Sequence, residues 1–323
     1  MGRLLVALFL VPALVLTVLR IVQPEFGLAV RLVSFAPLAI VLYGFVVLFC
    51  IVRVLLPGRG RWQVDAATAI VALLLLGLHA WWLSPQFVGP HPTAAADAVP
   101  LRVLTVNLYR GQADAPAVLD KAVRQKVDVL VLEEVTPGIL ADLREAGLDE
   151  AFPHSGGRPA EQIAGTMVFA AAPISEVTRL STNFGSWSMT VSLPQGDVTV
   201  FAVHPRPPKG SAGQWADDLA AIADAIEADQ PDIVAGDFNA TRDHRQFQRL
   251  LDAGTVDAAE RLNTGWQPTW PANGEFHVLG LGLPRLVQID HVLIGPRFAA
   301  VGVRTVALDN TDHSGVLAEV ALR

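Results

Sequence analysis

Two polar side chains stand two residues apart where a short apolar run ends, at Asp237 and Asn239 of the segment Ile233–Thr241. The run is too short for a helix and rich in β-branched residues, which is typical of a buried strand. Alternation along a strand places Asp237 and Asn239 on one face and Phe238 on the other. A carboxylate and an amide at a strand end suit the binding of a phosphate and a hard cation. The alternative is a strand that simply stops at an Asx-rich turn.

The same pattern recurs along the last two-thirds of the chain, where apolar segments deliver polar residues at or beside their boundaries. These residues are Asn107, Glu134, His204, Asp237 with Asn239, Asp290, and Asp312 with His313. Any one of them is weakly informative, because exposed acids are common and a lone histidine at a strand end is usually structural. Together they supply carboxylate and amide oxygens and two imidazoles, a set that suits Mg²⁺ or Mn²⁺ better than zinc. A scaffold that brings them together would hold a metal, a general base and phosphate-binding donors.

The segments that must position these residues alternate between strand-like and helix-like patterns from Leu101 onward. Helices are predicted over Ala115–Gln125, after Asp114 as a cap, and over Ser211–Asp229. Besides the central strand, the predicted strands are Leu101–Leu108, Val127–Leu132, Thr166–Phe169, Ser188–Leu193, Val198–Val203, Leu286–Ile294 and Gly315–Ala321. The pattern by itself indicates an α/β or α+β domain with mixed strands.

Three apolar stretches precede this domain, at residues 4–22, 32–52 and 66–83, with lengths of 19, 21 and 18 residues. Each is near the length that spans ~30 Å of hydrocarbon. We therefore expect residues 1–83 to form three transmembrane helices, 84–100 a Pro/Ala-rich linker and 101–323 the soluble domain. The alternatives are a cleaved signal peptide for the first stretch and three buried core helices. The first stretch lacks a small-x-small cleavage site, and all three runs contain hardly a polar residue.

The arginines between these stretches predict an orientation. Arg53, Arg59 and Arg61 cluster between the second and third stretches, which places that loop in the cytoplasm by the positive-inside rule. The part of the chain after residue 84 is then expected outside the cytoplasm, in a multi-pass protein of the cell membrane. Arg20 and Arg31 flank the first loop and weaken this inference, although arginine can snorkel at helix ends.

Charge and cysteine content exclude several classes of function. Residues 101–323 carry 18 of the 24 basic and 28 of the 31 acidic residues, a formal net charge of −10. Such a domain repels a polyanion at long range unless a local patch or bound cations reverse the field, so no stable nucleic-acid partner is expected. Cys50 is the only cysteine, which excludes a disulfide framework and a cysteine–zinc site.

In their order along the chain, the motifs resemble those of the endonuclease/exonuclease/phosphatase superfamily, which has the DNase-I-like fold. The resemblance covers about residues 101–322. Its pieces are the strand to Asn107, Asp128–Glu134, the strand to His204, Gly236–Asn239, Ile289–Val292 and Thr311–His313. The departures are Glu133 for glutamine, Thr311 for serine, His291 where tyrosine is frequent, and Val203 and Pro205 around His204. The resemblance implies a four-layer α/β (α+β) domain, a two-sheet β-sandwich flanked by helices.

The resemblance also implies a metal site. Glu134, with help from Asn107, would hold a divalent cation, Mg²⁺ or Mn²⁺, that polarises a phosphoryl oxygen. Asp312 would be a second metal ligand or a partner of the histidines. The alternatives are that Asp312 caps a turn and that Asn107 is structural.

The remaining polar residues receive catalytic roles from the same resemblance. His313 would act in acid–base catalysis or polarise the phosphate, oriented by Asp290 through its second ring nitrogen. Asp237 and Asn239 would position the attacking water and a phosphate oxygen. His204 would bind the phosphate or assist the leaving group.

An unusually apolar loop bears on the substrate. We expect the stretch Val278–Val287 to face the bilayer, or an acyl or isoprenoid chain, through Leu279, Leu281 and Leu283, while Arg285 meets the phosphate. The alternative is a buried loop that packs on the sandwich.

The resemblance implies hydrolysis of phosphoester bonds, and the membrane anchor favours a lipid-linked substrate in the same membrane. Three spans followed by this domain resemble the membrane-bound bacterial members linked to glycopeptide resistance, the VanJ-like proteins. That resemblance implies an extracytoplasmic phosphatase on an undecaprenyl-type pyrophosphate. The alternatives are an anchored extracytoplasmic nuclease and, in another class, a membrane-anchored binding module with a dead site.

Overall fold

The computed structural model describes residues 2–56, 62–274, 277–278, 281–282 and 284–323. The helices are α1 (Gly2–Val22), α2 (Gly27–Val33), α3 (Ala39–Leu55), α4 (Trp62–Leu83), α5 (Ala115–Arg124), α6 (Pro137–Glu145), α7 (Leu148–Ala151), α8 (Ala212–Asp229), α9 (Arg245–Asp252) and α10 (Ala258–Arg261). The strands are β1 (Leu101–Asn107), β2 (Val129–Glu133), β3 (His154–Arg158), β4 (Thr166–Ala170), β5 (Ile174–Arg179), β6 (Trp187–Leu193), β7 (Gly196–Val203), β8 (Ile233–Asp237), β9 (Val256–Asp257), β10 (His277–Val278), β11 (Leu281–Gly282), β12 (Asp290–Ile294), β13 (Phe298–Val306) and β14 (Gly315–Leu322).

Two mixed six-stranded sheets pack face to face. The first has the order β13-β14-β1-β2-β4-β3 and the second the order β5-β6-β7-β8-β12-β9. β1 is parallel to β2, and β7 is parallel to β8, among antiparallel neighbours. Side chains such as Val103, Val131, Val200 and Ala235 fill the layer between the sheets. Because these residues alternate with outward-facing ones along each strand, each sheet presents a second apolar face to helices.

Helices cover both outer faces. α5 and α6 pack on the first sheet through residues such as Val118 and Leu140. α8 and α9 pack on the second sheet through Trp215, Ile222 and Phe247. The predicted sandwich of two sheets flanked by helices is therefore confirmed.

Helix caps agree with the sequence, because they depend on neighbouring residues alone. The Asp114 carboxylate accepts a hydrogen bond from the Ala117 N–H at 2.9 Å, and the Ser211 hydroxyl accepts one from the Gln214 N–H at 3.2 Å. These caps start α5 and α8 where the sequence predicts them.

Several strands differ from the prediction: β3, β5, β9 and β13 were not predicted, and β12 begins later than expected. β12 begins at Asp290 rather than at Leu286, because Val287 pairs only with Trp270 in an isolated bridge. β5 was not predicted, since it lies at the edge of its sheet with mostly exposed side chains and carries no buried apolar face. An edge strand of this kind has no period-2 hydrophobic signal.

The N-terminal region contains three helices long and apolar enough to cross a membrane, by length and composition. They cover Gly2–Val22, Ala36–Leu55 and Trp62–Gln86. The second begins later than the predicted residue 32, because the separate short helix α2 and Pro37 interrupt the apolar run.

The N-terminal helices contact the α/β domain through polar bonds to the loop after β8. The Arg20 Nε atom lies 2.5 Å from the Asp243 carboxylate, and the Gln23 side-chain amide donates to the Asp243 carbonyl at 2.8 Å. The His244 Nε2 atom lies 2.9 Å from the Val30 carbonyl of α2. We call these five residues the anchor contact. Arg20, predicted to snorkel, is thus ion-paired with the α/β domain.

Candidate active site

The predicted polar residues lie at one edge of the sandwich. The parallel strands β1, β2, β7 and β8 end at this edge, while β12 and β14 begin there. Asn107 ends β1, Glu134 follows β2, His204 follows β7, Asp237 ends β8, Asp290 opens β12, and Asp312 and His313 precede β14. The two sheets meet directly at this edge, since the Asn107 amide donates to Asp237 Oδ2 at 3.0 Å.

Gly236 allows the end of β8 to approach β7. Its φ angle is 153°, and a Cβ atom at this position would lie 1.9 Å from the Val203 carbonyl oxygen. Only glycine fits such an approach. The neighbouring Asn239 has a φ angle of 49°, in the left-handed region that asparagine tolerates. Asp237 thus lies between two residues with positive φ angles, Gly236 before it and Asn239 after it.

Asp237 is the central acceptor of the site. Its Oδ1 accepts from the Asn239 N–H at 2.8 Å, and its Oδ2 accepts from the Asn239 amide at 3.4 Å as well as from Asn107. The Nε2 atoms of His204 and His313 lie 3.7 and 3.8 Å from the same Oδ2. Burial raises the pKa of Asp237 to about 7, although the His313 charge and these hydrogen bonds oppose the rise. A carboxylate of this kind can accept a proton from water near neutral pH.

His313 is held by Asp290, the residue that the family resemblance pairs with it. The Nδ1 atom lies 2.9 and 3.1 Å from the two Asp290 carboxylate oxygens. Burial by itself would lower the pKa of His313, but the charges of Asp290 and Asp237 raise it well above its usual value. The ring is therefore an imidazolium at neutral pH. Its Nε2 makes no hydrogen bond to the described part of the chain, so this N–H can donate to a phosphate oxygen.

His204 is neutral, in contrast to His313. Burial lowers the pKa of His204 to about 3, and repulsion from His313 adds to the effect. The ring is fully buried and packs edge-on against Phe184 at 5.5 Å between centroids. A neutral imidazole can donate one hydrogen bond to a phosphate, but it carries no charge to the site.

Glu134, Asn107 and Asp312 fit a hard divalent cation. Glu134 accepts from the Arg110 N–H at 2.5 Å and from the Asn107 amide at 3.4 Å. Asp312 accepts from the Trp270 indole through Oδ2, while its buried Oδ1 has no hydrogen-bond partner among the described residues. Burial raises the pKa of Glu134, and the negative charge of Asp312 raises it further. The Asp312 Oδ1 atom also lies 3.8 Å from the His313 Nε2 atom. Two neighbouring acids with a buried oxygen that accepts no hydrogen bond within the described residues match the oxygen ligands that Mg²⁺ prefers.

A second group of possible ligand atoms belongs to Asp237, Asp290 and His313, which lie within 4.8 Å of one another. Both Asp290 oxygens already accept from His313, so this group matches an acid–base arrangement better than a cation site.

Arg285 lies beside this group. Its guanidinium donates to the Ser314 hydroxyl at 3.0 Å, one residue after His313. In the apolar loop, the Leu281 side chain is 73% exposed, while Leu279 and Leu283 lie outside the described residues. The phosphate contact of Arg285 and the environment of the loop stay predictions.

Two further residues support the site and were not predicted. Thr311 donates to the Asn107 carbonyl at 2.8 Å and accepts from the His313 N–H at 3.2 Å. It therefore links the end of β1 to the residues that precede β14. Glu133 is fully buried and accepts from the Thr105 hydroxyl at 2.7 Å. Burial raises the pKa of Glu133 well above its usual value, although the hydrogen bond from Thr105 opposes the rise. Both lie inside the motif segments, at positions where the sequence departs from the family pattern, and no role was assigned to them from the sequence.

Comparison with known proteins identifies the family to which the chain belongs. Residues 104–313 match the Endonuclease/Exonuclease/phosphatase family. The chain belongs to this family, whose members hydrolyse phosphoester bonds, and is an enzyme of that class. The family generally uses divalent metals, in agreement with the acidic residues of the site. A search of curated proteins finds no match.

Solved structures show the same fold. An endonuclease/exonuclease/phosphatase from Beutenbergia cavernae is 22% identical, with a TM-score of 0.52, over 69% of this chain and 72% of that chain. D. rerio TDP2 is 17% identical, with a TM-score of 0.56, over 68% of this chain and 98% of that chain. A mannosyl-6-phosphatase from Bacteroides thetaiotaomicron is 14% identical, with a TM-score of 0.51, over 68% and 99% of the two chains.

Proposed function

We propose that the chain is a membrane-anchored hydrolase that uses Mg²⁺ or Mn²⁺ to release phosphate from a lipid-linked substrate at the outer face of the cell membrane. An undecaprenyl-type pyrophosphate is the substrate that we favour, in line with the VanJ-like arrangement of three spans and this domain. The observation that carries the proposal is the position of the anchor contact, which lies at the same edge of the sandwich as the site.

The end of the first candidate span contacts the segment that leaves β8 at the site, and the short helix α2 contacts the segment that leaves β7. Asp243 of the anchor contact follows Asp237 by six residues. Gly27 lies against the Pro208 carbonyl, four residues after His204, so closely that a Cβ atom there would be 2.7 Å from it. Because an extended residue spans at most about 3.5 Å, the site lies within about 20 Å of the helix ends. A phosphate at the bilayer surface is within reach of a site held at this distance.

The polar residues of the site have matching roles in hydrolysis. A divalent cation bound by Glu134, Asn107 and Asp312 would supply charge stabilisation of the phosphoryl group. Asp237 takes a proton from the attacking water, whose oxygen forms the new bond to phosphorus as the bond to the leaving oxygen breaks.

Hydrogen-bond donors hold the phosphate in this scheme. The imidazolium of His313 donates from Nε2 to a phosphate oxygen, while Asp290 stabilises the positive charge on its ring. Asn239 and the neutral ring of His204 donate to the remaining oxygens. In this scheme the only charge transferred to the protein is the proton that Asp237 accepts.

The anchor gives a lipid substrate an advantage over a soluble one. An enzyme tethered to the bilayer meets lipids of the same membrane at a raised effective concentration. The arginine cluster between the second and third stretches favours a cytoplasmic position for that loop, and therefore an outer position for the site.

The test is phosphate release by the full-length protein in detergent with Mg²⁺, on an isoprenyl diphosphate and on plasmid DNA side by side. We expect phosphate from the lipid, intact DNA, and no activity in His313→Ala or Glu134→Ala. DNA is the competing substrate, because D. rerio TDP2 was solved with a single-strand DNA product. Nicked DNA with untouched lipid would overturn the proposal, and an inactive wild-type protein would favour a binding module.

A further inference from the structure

A surface cavity of about 520 Å³ lies next to the proposed metal ligands. Its walls are Arg110, the start of α6 at residues 136–138, and the segment 161–163. A volume of this size is within the range of small-molecule sites, about 300–1,000 Å³. None of the site roles above uses this space.

Two walls of the cavity connect it to opposite sides of the site. The Arg110 backbone N–H donates to the Glu134 carboxylate at 2.5 Å. On the other side, the segment of Ile163 continues to Ala164, whose carbonyl accepts from the Gly185 N–H at 3.2 Å. The next residue, Ser186, accepts from the His204 N–H through its hydroxyl at 3.2 Å. A substrate bound between Glu134 and His204 would therefore extend into this cavity.

The segment that forms the far wall is fixed in place. The Ala160 N–H donates to the Val135 carbonyl at 3.0 Å, and the Val135 N–H donates to the Gly165 carbonyl at 3.1 Å. Gly165 approaches so closely that a Cβ atom there would lie 2.0 Å from the Val135 carbonyl oxygen. The wall is thus bonded on both sides to the residue that follows Glu134.

Arg110 is the basic residue of the cavity wall, and Glu161 is the acidic one. The exposed Arg110 guanidinium makes no ion pair or hydrogen bond within the described residues. In a domain with a formal net charge of −10, an unpaired cation beside a metal ligand favours a negatively charged ligand group.

We propose that this cavity binds the leaving group of the substrate and that Arg110 is the specificity-determining residue for a leaving group with its own phosphate. The inference rests on the proposed hydrolase function and refines its substrate class. In a diphosphate ester, the bond between the terminal phosphorus and the bridging oxygen breaks, and water supplies the new oxygen. The products are inorganic phosphate and a monophosphate ester, whose charge a guanidinium can bind in bidentate fashion. A simple monoester leaves as an alcohol, which offers Arg110 no anion.

The first arm of the test measures binding without turnover. Full-length protein in detergent with Mg²⁺ is titrated calorimetrically with methylenediphosphonate and with methylphosphonate. We expect Arg110→Ala to weaken diphosphonate binding by roughly tenfold or more and methylphosphonate binding by less than about twofold. Arg110→Lys should lie between wild type and Arg110→Ala, and Glu161→Gln should bind diphosphonate at least as tightly as wild type. Arg124→Ala, which removes an exposed arginine of α5, is the matched control and should change neither affinity.

The second arm compares kcat/KM on an isoprenyl diphosphate and on the corresponding monophosphate. The ratio of the two values should fall roughly tenfold in Arg110→Ala and stay unchanged in Arg124→Ala. An equal loss on both ligands, or no loss on either, would overturn the role of Arg110. Diphosphonate binding that depends on Arg110 in a protein that releases no phosphate would support the cavity assignment and reject the proposed function.

Discussion

At the scale of single residues, the two histidines of the site differ because of the charges that face them. Both rings are buried, which disfavours the charged form in each case. His313 lies against the carboxylates of Asp290 and Asp237, whose attraction outweighs the cost of burial. For His204, burial and repulsion from the cation His313 together outweigh the attraction of Asp290, so its pKa is lowered. One ring therefore brings a positive charge to the phosphate and the other only a hydrogen bond.

Replacing Asp290 should alter both the rate and its pH dependence. In Asp290→Asn the amide cannot stabilise the imidazolium, so burial lowers the pKa of His313 and the fraction of charged ring at neutral pH falls. We expect phosphate release at pH 7 to fall roughly 10²- to 10³-fold and the alkaline limb of the pH–rate profile to move to lower pH. Rates measured from pH 5 to 9, with the exposed Asp120→Asn as control, check this. An unshifted alkaline limb would contradict the role of Asp290.

The Glu134 carboxylate should determine the dependence on metal. Glu134→Gln keeps the shape and removes the charge, so more Mg²⁺ should be needed for half-maximal activity, by roughly tenfold or more. Chelation should abolish phosphate release by the wild type, and added Mg²⁺ should restore it. A Mg²⁺ titration of wild type, Glu134→Gln and the exposed Glu145→Gln makes the comparison. Equal half-saturation in all three would argue against Glu134 as a ligand.

At the scale of elements, the site depends on the approach of β8 to β7 at Gly236. In Gly236→Ala the new Cβ atom collides with the Val203 backbone, and the φ angle of 153° is also unfavourable. We expect a loss of at least about 2 kcal/mol, which lowers the melting temperature by about 5 °C or more in a domain of this size. Gly196→Ala is the matched control, because its φ angle of 123° is also positive but no atom lies within 4 Å of its Cβ. Equal losses in both variants would assign the effect to φ alone.

A second buried pair fastens β9 to β12. The His291 Nδ1 atom lies 2.6 Å from the Asp257 carboxylate, and its Nε2 lies 3.2 Å from the Ala240 carbonyl. Burial would lower the pKa of His291, but Asp257 raises it above the usual value. The Gln288 side-chain amide nitrogen also lies 3.3 Å from Nδ1. The imidazolium is the form that donates to both Asp257 and the Ala240 carbonyl.

Stability should therefore depend on pH through His291. A raised folded-state pKa contributes stability below the unfolded value of about 6.5 and loses it as pH rises through the folded value. Asp257→Asn removes the charge that raises the pKa. The difference in melting temperature between wild type and this variant should shrink from pH 6 upward. A difference that grows with pH in thermal unfolding would show that His291 is neutral in the fold.

At the scale of the whole molecule, the anchor contact joins the N-terminal helices to the loop after β8, which carries part of the site. Arg20 lies against the Trp82 ring at 4.0 Å as well as against Asp243, so one side chain links two of the candidate spans to the α/β domain. This geometry restrains the site at one height and orientation relative to the helix ends. A flexible tether without such bonds would not restrain the orientation of the site relative to the helix ends.

Breaking the anchor contact should affect lipid and soluble substrates differently. In Asp243→Ala the loop loses its ion pair with Arg20, so the site is oriented less well toward the bilayer. We expect turnover of an isoprenyl diphosphate in vesicles to fall several-fold and turnover of a small soluble phosphoester to stay within about twofold. Asp224→Ala, which removes an exposed pair with Arg249, is the control. An equal loss on both substrates would show a defect in the site itself.

The sequence by itself determined the order of the motifs, the residue types at the strand ends, the caps of α5 and α8, and the three apolar helices. These features depend on neighbours along the chain, through hydrophobic period, capping and composition. The edge strand β5 escaped prediction because its side chains are largely exposed and give no alternating pattern.

Only the tertiary structure decided how these residues act together. The bond from Asn107 to Asp237 crosses between sheets, and the partner of Arg20 lies more than two hundred residues away. Likewise, the different charge states of His204 and His313 depend on which groups face each ring. The cavity beside Arg110 depends on a wall that is bonded to Val135. Such features follow from burial and from contacts between distant segments, which no local pattern in the chain records.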